Sequence, residues 1–190
     1  MKILHLAFAG AIALASFTGT ALAQAADNFL TITLKDGPVV VELRPDIAPK
    51  HVEQIKALAA AGEYDNVAFH RVIKGFMAQT GDVQYGDMEN GYQPQAAGTG
   101  GSSRPDIPAE FSKVPFERGT VGMARSQDPN SANSQFFIMF APGDFLNGQY
   151  TVVGKVVSGM ENVDKIKLGD DANNGSVTDP DRMISVKVGK

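Results

Sequence analysis

The chain has 190 residues, of which 43% are hydrophobic and 20% charged, and this composition predicts a folded domain rather than a disordered chain. Lys and Arg number 17 against 21 Asp and Glu, so the net charge is −4. An acidic chain with no basic cluster lacks the electrostatic attraction on which binding to nucleic acid or anionic membranes depends. Cysteine is absent, which excludes disulfides, thiolate metal ligands and a cysteine nucleophile.

The first 23 residues have the features of a secretory signal peptide. Lys2 precedes the apolar run Ile3–Phe17, and Ala21-Leu22-Ala23 has the small-x-small pattern of a cleavage site. A membrane anchor is the alternative, but the run is shorter than the about 20 apolar residues that a spanning helix needs. We therefore predict that residues 1–23 are removed and that residues 24–190 form one domain. In a bacterium this domain would lie in the periplasm, detached from the membrane.

The mature segment begins with a pattern typical of a β-hairpin. Phe29–Leu34 and Val39–Leu43 alternate apolar and polar residues, and a Gly-Pro pair between them marks a turn. A helix is predicted next, with Asp46 as its N-cap, a start near Ile47 and an end at Gly62. Its apolar residues recur at helical spacing, so one face is expected to pack on the sheet.

The rest of the chain predicts mostly strands. We expect strands at Val67–Ile73, Phe76–Thr80, Thr120–Ala124, Gln135–Phe140 and Thr151–Val157, then a helix at Met160–Lys167 and a last strand at Met183–Val188. Because helices do not alternate with strands, this order favours a mainly β fold over an open α/β sheet. The predicted fold is a closed eight-stranded antiparallel β-barrel capped by two α-helices. Residues 81–115 are rich in Gly, Pro, Gln and Ser, and so long a loop often lines a binding site.

Residue patterns for covalent, metal and phosphate chemistry are missing from the sequence. The mature segment has two histidines, His51 and His70, and His51 is predicted to face solvent on the first helix. No serine lies in a Gly-x-Ser-x-Gly turn, and no pair of His or Glu residues has ligand spacing. Asp170–Asp181 resembles a calcium loop only faintly, because Ala172 stands where an oxygen ligand is needed, so a polar turn is the better interpretation. We expect no metal and no cofactor.

Large apolar side chains occur where a strand or loop would expose them. Gln135–Phe140 is apolar on both faces, although only one face of a barrel strand can fill the interior. Met77 on another strand and the pair Phe145-Leu146 in a polar loop are also large apolar residues at positions that would be exposed. Ordinary packing explains each of them taken singly. Together with Arg71 and Gln79, they predict an apolar pocket with few polar groups and no nucleophile.

Several ordered blocks of this sequence resemble the cyclophilin signature. They are Phe69–Asp82, Gly122–Arg125, Asn133–Ile138 and Phe145–Val156, and the likeness extends over Asn28–Lys190. The resemblance implies a peptidyl-prolyl cis–trans isomerase on an eight-stranded barrel with two capping helices. Its partners would be proline-containing segments, which the predicted signal peptide makes segments of exported proteins. We expect the protein to be a monomer.

The resemblance also implies which residues form the site. Arg71 stands at the position of the family's catalytic arginine. The family's proline-pocket positions correspond to Phe76, Met77, Phe137 and Leu146, and its positions beside the substrate backbone to Gln79 and Gln135.

Three further substrate-binding positions depart from the eukaryotic cyclophilin pattern, as in bacterial periplasmic members. Phe145 replaces the usual Trp, Tyr150 replaces His, and Arg125 replaces Asn. In the family the Trp indole donates a hydrogen bond to cyclosporin, and phenylalanine has no donor. The resemblance therefore implies that catalysis is retained and that cyclosporin binds weakly or not at all.

These residue types suit rotation about an X–Pro bond, a reaction that makes and breaks no covalent bond. The guanidinium of Arg71 is always protonated and can donate to the prolyl nitrogen as the amide twists. A chaperone or adaptor that binds proline segments in the same groove is the alternative function. Arg71 favours catalysis, because binding alone would not need that donor.

Overall fold

The computed structural model describes residues 27–190, so the leader predicted at residues 1–23 lies outside the described part. Within residues 27–190, the chain forms strands β1 Phe29–Leu34, β2 Gly37–Leu43, β3 Arg71–Ile73, β4 Met77–Thr80, β5 Thr120–Met123, β6 Phe136–Met139, β7 Val152–Ser158 and β8 Ser185–Val188, and helices α1 Pro49–Ala60 and α2 Met160–Val163. None of the helices in this range has the length and hydrophobicity that crossing a bilayer demands.

The predicted hairpin and first helix supply much of the core. In β1, Leu30 and Ile32 are buried while their neighbours are partly exposed, as the apolar alternation predicts. Helix α1 buries Val52, Ile55 and Leu58, which recur at helical spacing and pack in the same cluster as the strand residues. The alternating face of the sheet and the apolar stripe of the helix therefore share one interior.

The eight strands form one antiparallel, strongly curled sheet in the order β3-β4-β6-β5-β7-β2-β1-β8. The predicted mainly β fold with two helices is confirmed, but the prediction of a closed barrel is wrong, because no ladder in the described chain joins β3 to β8. Residues 169–175 occupy the outer edge of β3 instead: Val72 N donates to Gly175 O at 2.8 Å, and Gly169 N donates to Val72 O at 2.9 Å. An irregular segment thus satisfies the edge that closure would have required.

Two elements are four residues shorter than predicted because their hydrogen bonds become irregular. Strand β3 begins at Arg71, since Ala68 N and Phe69 N donate to carbonyls in loops rather than in a strand. Helix α2 ends at Val163, after which the chain continues in tighter turns; Ile166 N donates to Val163 O at 3.1 Å.

Strand β6 is buried on both faces because it separates two apolar clusters. Phe136 and Ile138 belong to the main core between the sheet and α1. Phe137 and Met139 point the other way, into a second cluster that includes Phe116. The continuous apolar run in the sequence is therefore buried on both faces. Its outer face forms the base of a surface site.

The start of α1 corrects two predictions. Asp46 does not cap the helix; its carboxylate pairs with Arg44 at 2.7 Å. The free amides of Lys50 and His51 donate instead to the distant Glu110 carboxylate, both at 3.2 Å. The His51 ring, predicted to face solvent, is fully buried, and its Nδ1 lies 2.6 Å from Glu110 Oε2. Burial lowers the pKa of His51, although Glu110 opposes the shift, so a neutral ring donates to the carboxylate.

Candidate active site

Strand register assembles a row of polar side chains beside the outer edge of the sheet. Arg71 on β3 lies opposite Gln79 on β4, and Arg71 Nη1 donates to Gln79 Oε1 at 3.2 Å. Gln79 Nε2 donates in turn to Gln135 Oε1 at 3.0 Å, and Gln135 Nε2 donates to Gly100 O at 2.8 Å. Each amide is therefore oriented by the next group, which fixes the direction in which Arg71 and Gln79 present their remaining donors.

A cavity of about 270 Å³, in which seven of the ten lining residues are apolar or aromatic, adjoins this row and is open to solvent on one side. Its walls are formed by Arg71, Phe76, Met77, Gln79, Ala124, Arg125, Phe137, Phe145, Leu146 and Tyr150. Phe137 forms part of the base and stacks on Phe116 with 5.8 Å between ring centres. Gly122 lies opposite Phe137 in the β5–β6 ladder, where a Cβ would approach Phe137 Cζ to 2.6 Å. The glycine therefore leaves room for the ring.

The rim of the cavity is formed by a short 3₁₀ turn at Asp144–Leu146. The turn points Leu146 inward, where it is buried, and leaves Phe145 70% exposed. The Phe145 ring lies 5.5 Å from that of Phe76, so the two form one apolar edge. A large phenylalanine left exposed beside a cavity indicates a surface that a ligand can cover.

Arg125 and Tyr150 form another part of the cavity wall. The Arg125 guanidinium lies 4.3 Å from the centre of the Tyr150 ring, and that ring meets Phe137 edge-on at 6.0 Å. Arg125 donates to the backbone oxygens of Gln149 and Ser126, at 2.9 Å and 2.8 Å. The Arg125 side chain therefore acts as a cover over Tyr150, with several of its donors already engaged.

A second cavity of about 240 Å³ continues from the first and shares Gln79, Ala124 and Arg125 with it. Its remaining walls are Gly98, Thr99, Gly100, Ser126, Ser131, Asn133 and Gln135. The structure thus brings nine of the ten sequence-predicted site residues to the first cavity and Gln135 to the second. The long loop predicted to line a binding site contributes Gly98–Gly100. The roles of the ten predicted site residues as substrate ligands stay predictions.

The buried carboxylate of Asp82 shapes this loop, and sequence reasoning assigned it no role. Its Oδ2 accepts from Gly98 N at 2.7 Å and from Gly100 N at 2.9 Å, while its Oδ1 accepts from the amides of Gln84 and Tyr85. Four backbone donors explain how a fully buried carboxylate is tolerated. The Gly81-Asp82 pair after β4 was the sequence feature that could have pointed to Asp82. Only the fold shows which backbone amides its carboxylate binds.

His70 packs beneath the same loop. Its side chain is 7% exposed, and a Cβ at Gly98 would lie 2.9 Å from His70 Cδ2, so only glycine allows this approach. Neither ring nitrogen has a hydrogen-bond partner among the described residues. Burial lowers the pKa of His70 to about 4, although Asp82 opposes the shift.

This burial predicts a loss of stability in mild acid. The unfolded chain takes up a proton on His70 near its ordinary pKa of 6.5, whereas the folded protein resists protonation down to about 4. The His70 contribution to the free energy of unfolding should therefore fall by about 3 kcal/mol as the pH drops through this window, and this contribution should not change further below it. Urea unfolding at several pH values measures the effect. His70→Gln removes the titrating group, so equal slopes for the variant and the parent would contradict the prediction.

Arg71 itself is a half-buried cation without an acidic partner. Its Nε and Nη2 donate to the backbone and side-chain oxygens of Asn174, both at 3.0 Å, in addition to the bond with Gln79. No salt bridge in residues 27–190 involves Arg71. Partial burial lowers the pKa of Arg71, and Tyr150 opposes the shift, but a guanidinium stays protonated at physiological pH. Its positive charge is therefore available to a ligand in the cavity.

Together these features form an apolar cavity with a charged hydrogen-bond donor at one edge. Such a site can hold a small apolar ring and offer a hydrogen bond to an atom beside it. The amides of Gln79 and Gln135 lie next to the donor and can bind a peptide backbone that continues into the second cavity.

Comparison with known proteins places the chain in a family. The family model described as "Cyclophilin type peptidyl-prolyl cis-trans isomerase/CLD" matches residues 29–188. A protein of Brucella suis biovar 1 (strain 1330), named "Probable peptidyl-prolyl cis-trans isomerase", is 66% identical over 169 residues, which cover 89% of this chain and 86% of that protein. A Brucella abortus (strain 2308) protein of the same name is 65% identical over the same length.

Solved structures show the same fold. A cyclophilin from Hirschia baltica superposes with a TM-score of 0.70 at 24% identity. The match covers 92% of this chain and 81% of the Hirschia baltica chain. A cyclophilin type peptidyl-prolyl cis–trans isomerase from Cryptosporidium parvum, crystallised in the presence of the dipeptide Ala-Pro, superposes with a TM-score of 0.72 at 28% identity. That match covers 85% of this chain and 99% of the other. The family match spans nearly all of the described residues, and the chain therefore belongs to the cyclophilin-type peptidyl-prolyl cis–trans isomerases.

Proposed function

We propose that this isomerase accelerates rotation about X–Pro bonds in exported proteins, with Arg71 as the group that stabilises the twisted amide. The observation that carries the proposal is the position of Arg71: a charged donor without an acidic partner, at the edge of a cavity that is large enough to admit an apolar ring. The Ala-Pro dipeptide present with the Cryptosporidium parvum relative supports proline-containing segments as the substrate class.

The chemistry explains why a donor of this kind is needed. Resonance in the planar amide opposes rotation with a barrier of about 18–20 kcal/mol, and uncatalysed exchange takes tens of seconds. When the amide twists, the prolyl nitrogen regains its lone pair and becomes a hydrogen-bond acceptor. Arg71 would donate to that nitrogen in the twisted state only, which is the difference in binding that lowers a barrier.

One hydrogen bond is too weak to provide the whole effect. A 10⁵-fold acceleration requires about 7 kcal/mol of preferential binding to the twisted state. The remainder would come from positioning: Phe137, Met77 and Leu146 hold the proline ring, while Gln79 and Gln135 hold the backbone. The hydrogen-bonded row from Gly100 to Arg71 supports this role, because preorientation removes the cost of arranging donors during the reaction.

A proline-binding chaperone or adaptor is the second candidate, favoured by the exposed apolar edge at Phe145. Exchange between the cis and trans forms of a short X–Pro peptide, measured by NMR with and without residues 24–190, distinguishes the two. Acceleration at micromolar protein supports the catalytic proposal. Line broadening by binding without faster exchange would support the adaptor function and contradict catalysis.

Export is proposed on the basis of the N-terminal sequence. We expect cleavage after Ala23, so that mass spectrometry of the periplasmic fraction of a bacterial host finds a chain beginning at Gln24. A matched variant with Ala21→Asp and Ala23→Asp should accumulate uncleaved, because the small residues of the cleavage site are lost. An intact Met1 terminus of the parent protein in the membrane fraction would overturn the proposal.

We also propose that cyclosporin binds weakly, because the rim residue Phe145 has no hydrogen-bond donor. The exposed position of its ring at the edge of the apolar cavity supports this proposal.

A further inference from the structure

Asn174 lies beside Arg71, at the edge of the sheet that is left open. It lies in the segment that occupies the outer edge of β3, at the end of the 3₁₀ turn Asp171–Asn173. Arg71 and Ser176 form an isolated bridge there, so this segment runs directly beside the arginine. No sequence pattern pointed to Asn174, because 103 residues separate it from Arg71.

The two residues meet at more than one point. Asn174 O accepts from Arg71 Nε at 3.0 Å, and Asn174 Oδ1 accepts from Arg71 Nη2 at the same distance. Gln79 Oε1 accepts from Nη1, so all three guanidinium nitrogens have a partner. A guanidinium has five N–H groups, of which these bonds use three. One N–H on each Nη is left free to donate to a ligand.

We propose that Asn174 is a positioning residue that holds the Arg71 guanidinium in its productive orientation. The inference rests on the proposed role of Arg71 as the donor to the twisted amide. The Nη2 bond adds to the Gln79 bond at Nη1 in opposing rotation of the planar group about its Cδ–Nε and Nε–Cζ bonds, and such rotation would redirect the two free N–H groups. Transition-state stabilisation depends on donors that are oriented before the reaction, so the loss of this bond should slow catalysis more than it weakens binding.

The backbone of Asn174 offers a second explanation for this residue type. Its φ is +52°, in the left-handed region where asparagine is favoured over most other residues. Under that explanation the side chain would have no part in the reaction. Asn174→Gly separates the two, because glycine keeps the left-handed conformation and the backbone acceptor but removes the side-chain oxygen.

For Asn174→Gly we expect kcat to fall roughly ten-fold, because the variant loses one hydrogen bond to a charged group. KM and the thermal midpoint should be nearly unchanged. NMR of the free protein should show faster rotation of the Arg71 guanidinium. Asn173→Ala is the matched control, since Asn173 is an exposed neighbour whose side chain makes no hydrogen bond to Arg71. Its kcat and the Arg71 rotation rate should equal those of the parent. An unchanged kcat in Asn174→Gly, or unchanged rotation, would overturn the proposal.

A double variant keeps this inference distinct from the proposed function. If Asn174 acts through Arg71, then Arg71→Ala combined with Asn174→Gly should be no slower than Arg71→Ala alone. Additive losses would show that Asn174 acts independently and would contradict the positioning role. A normal rate in Arg71→Ala would instead overturn the proposed catalytic role of Arg71, while a slow Arg71→Ala with a normal Asn174→Gly would overturn only the present inference.

Discussion

Arg71→Ala should reduce the isomerisation rate by a factor of about 10²–10³, which is the effect of removing one preorganised transition-state donor. Binding of a proline peptide in the ground state should fall much less, because the apolar cavity beside Arg71 remains intact. The thermal midpoint should hardly change: the partners of Arg71 are the neutral groups of Asn174 and Gln79, so its removal leaves no buried carboxylate unpaired. Enzyme-catalysed exchange and thermal unfolding, measured on the same samples, test both expectations.

Arg71→Lys should recover little of this loss. An ammonium is a compact, strongly hydrated charge without the planar fork that bonds to Asn174 and Gln79 at once. Arg118→Ala is the control, because Arg118 forms an exposed pair with Asp164 and lines neither cavity. Its rate should match that of the parent protein. An Arg71→Ala variant with unchanged midpoint and unchanged rate would remove Arg71 from the mechanism.

Phe145→Trp should strengthen cyclosporin inhibition by roughly 5- to 150-fold. The parent protein leaves the ligand's acceptor without a partner, which costs about 1–3 kcal/mol, and an indole at this position can donate the missing bond. The structure supports the substitution, because Phe145 is 70% exposed and its ring borders the apolar cavity beside Phe76, so a larger ring needs no repacking of the core. Inhibition curves for catalysed exchange measure the change.

Phe111→Trp is the matched control for this prediction. Phe111 is also an exposed phenylalanine, at 43%, but it lines neither of the two cavities. Cyclosporin inhibition of that variant should remain as weak as that of the parent. Tight inhibition of the unmodified protein would contradict the role given to Phe145, and so would an equal gain in both tryptophan variants.

Local pattern was sufficient to predict that the strands exist and that a pocket lies beside Arg71 and Gln79, and the cyclophilin resemblance supplied the other site residues. The alternation in Phe29–Leu34 matches the observed strand, because side chains of a strand point to opposite faces whatever its surroundings. Arg71, Met77 and Gln79 lie on one hairpin, so their proximity follows from a short connection. The apolar run around Phe137 predicted a pocket on the outer face of its strand, and Phe137 does line the cavity there.

The sequence by itself therefore determined the family, the mainly β architecture and the residues that meet at the apolar cavity, since these depend on local periodicity and on contiguous motifs. Only the tertiary structure decided that the sheet stays open, because backbone bonds from residues 169–175 satisfy the edge of β3. It alone also paired His51 with Glu110, 59 residues away, and Arg71 with Asn174 at a separation of 103 residues. Contacts of this range have no periodicity in the sequence; they arise when buried polar groups and open strand edges take the nearest partner that the folded chain supplies.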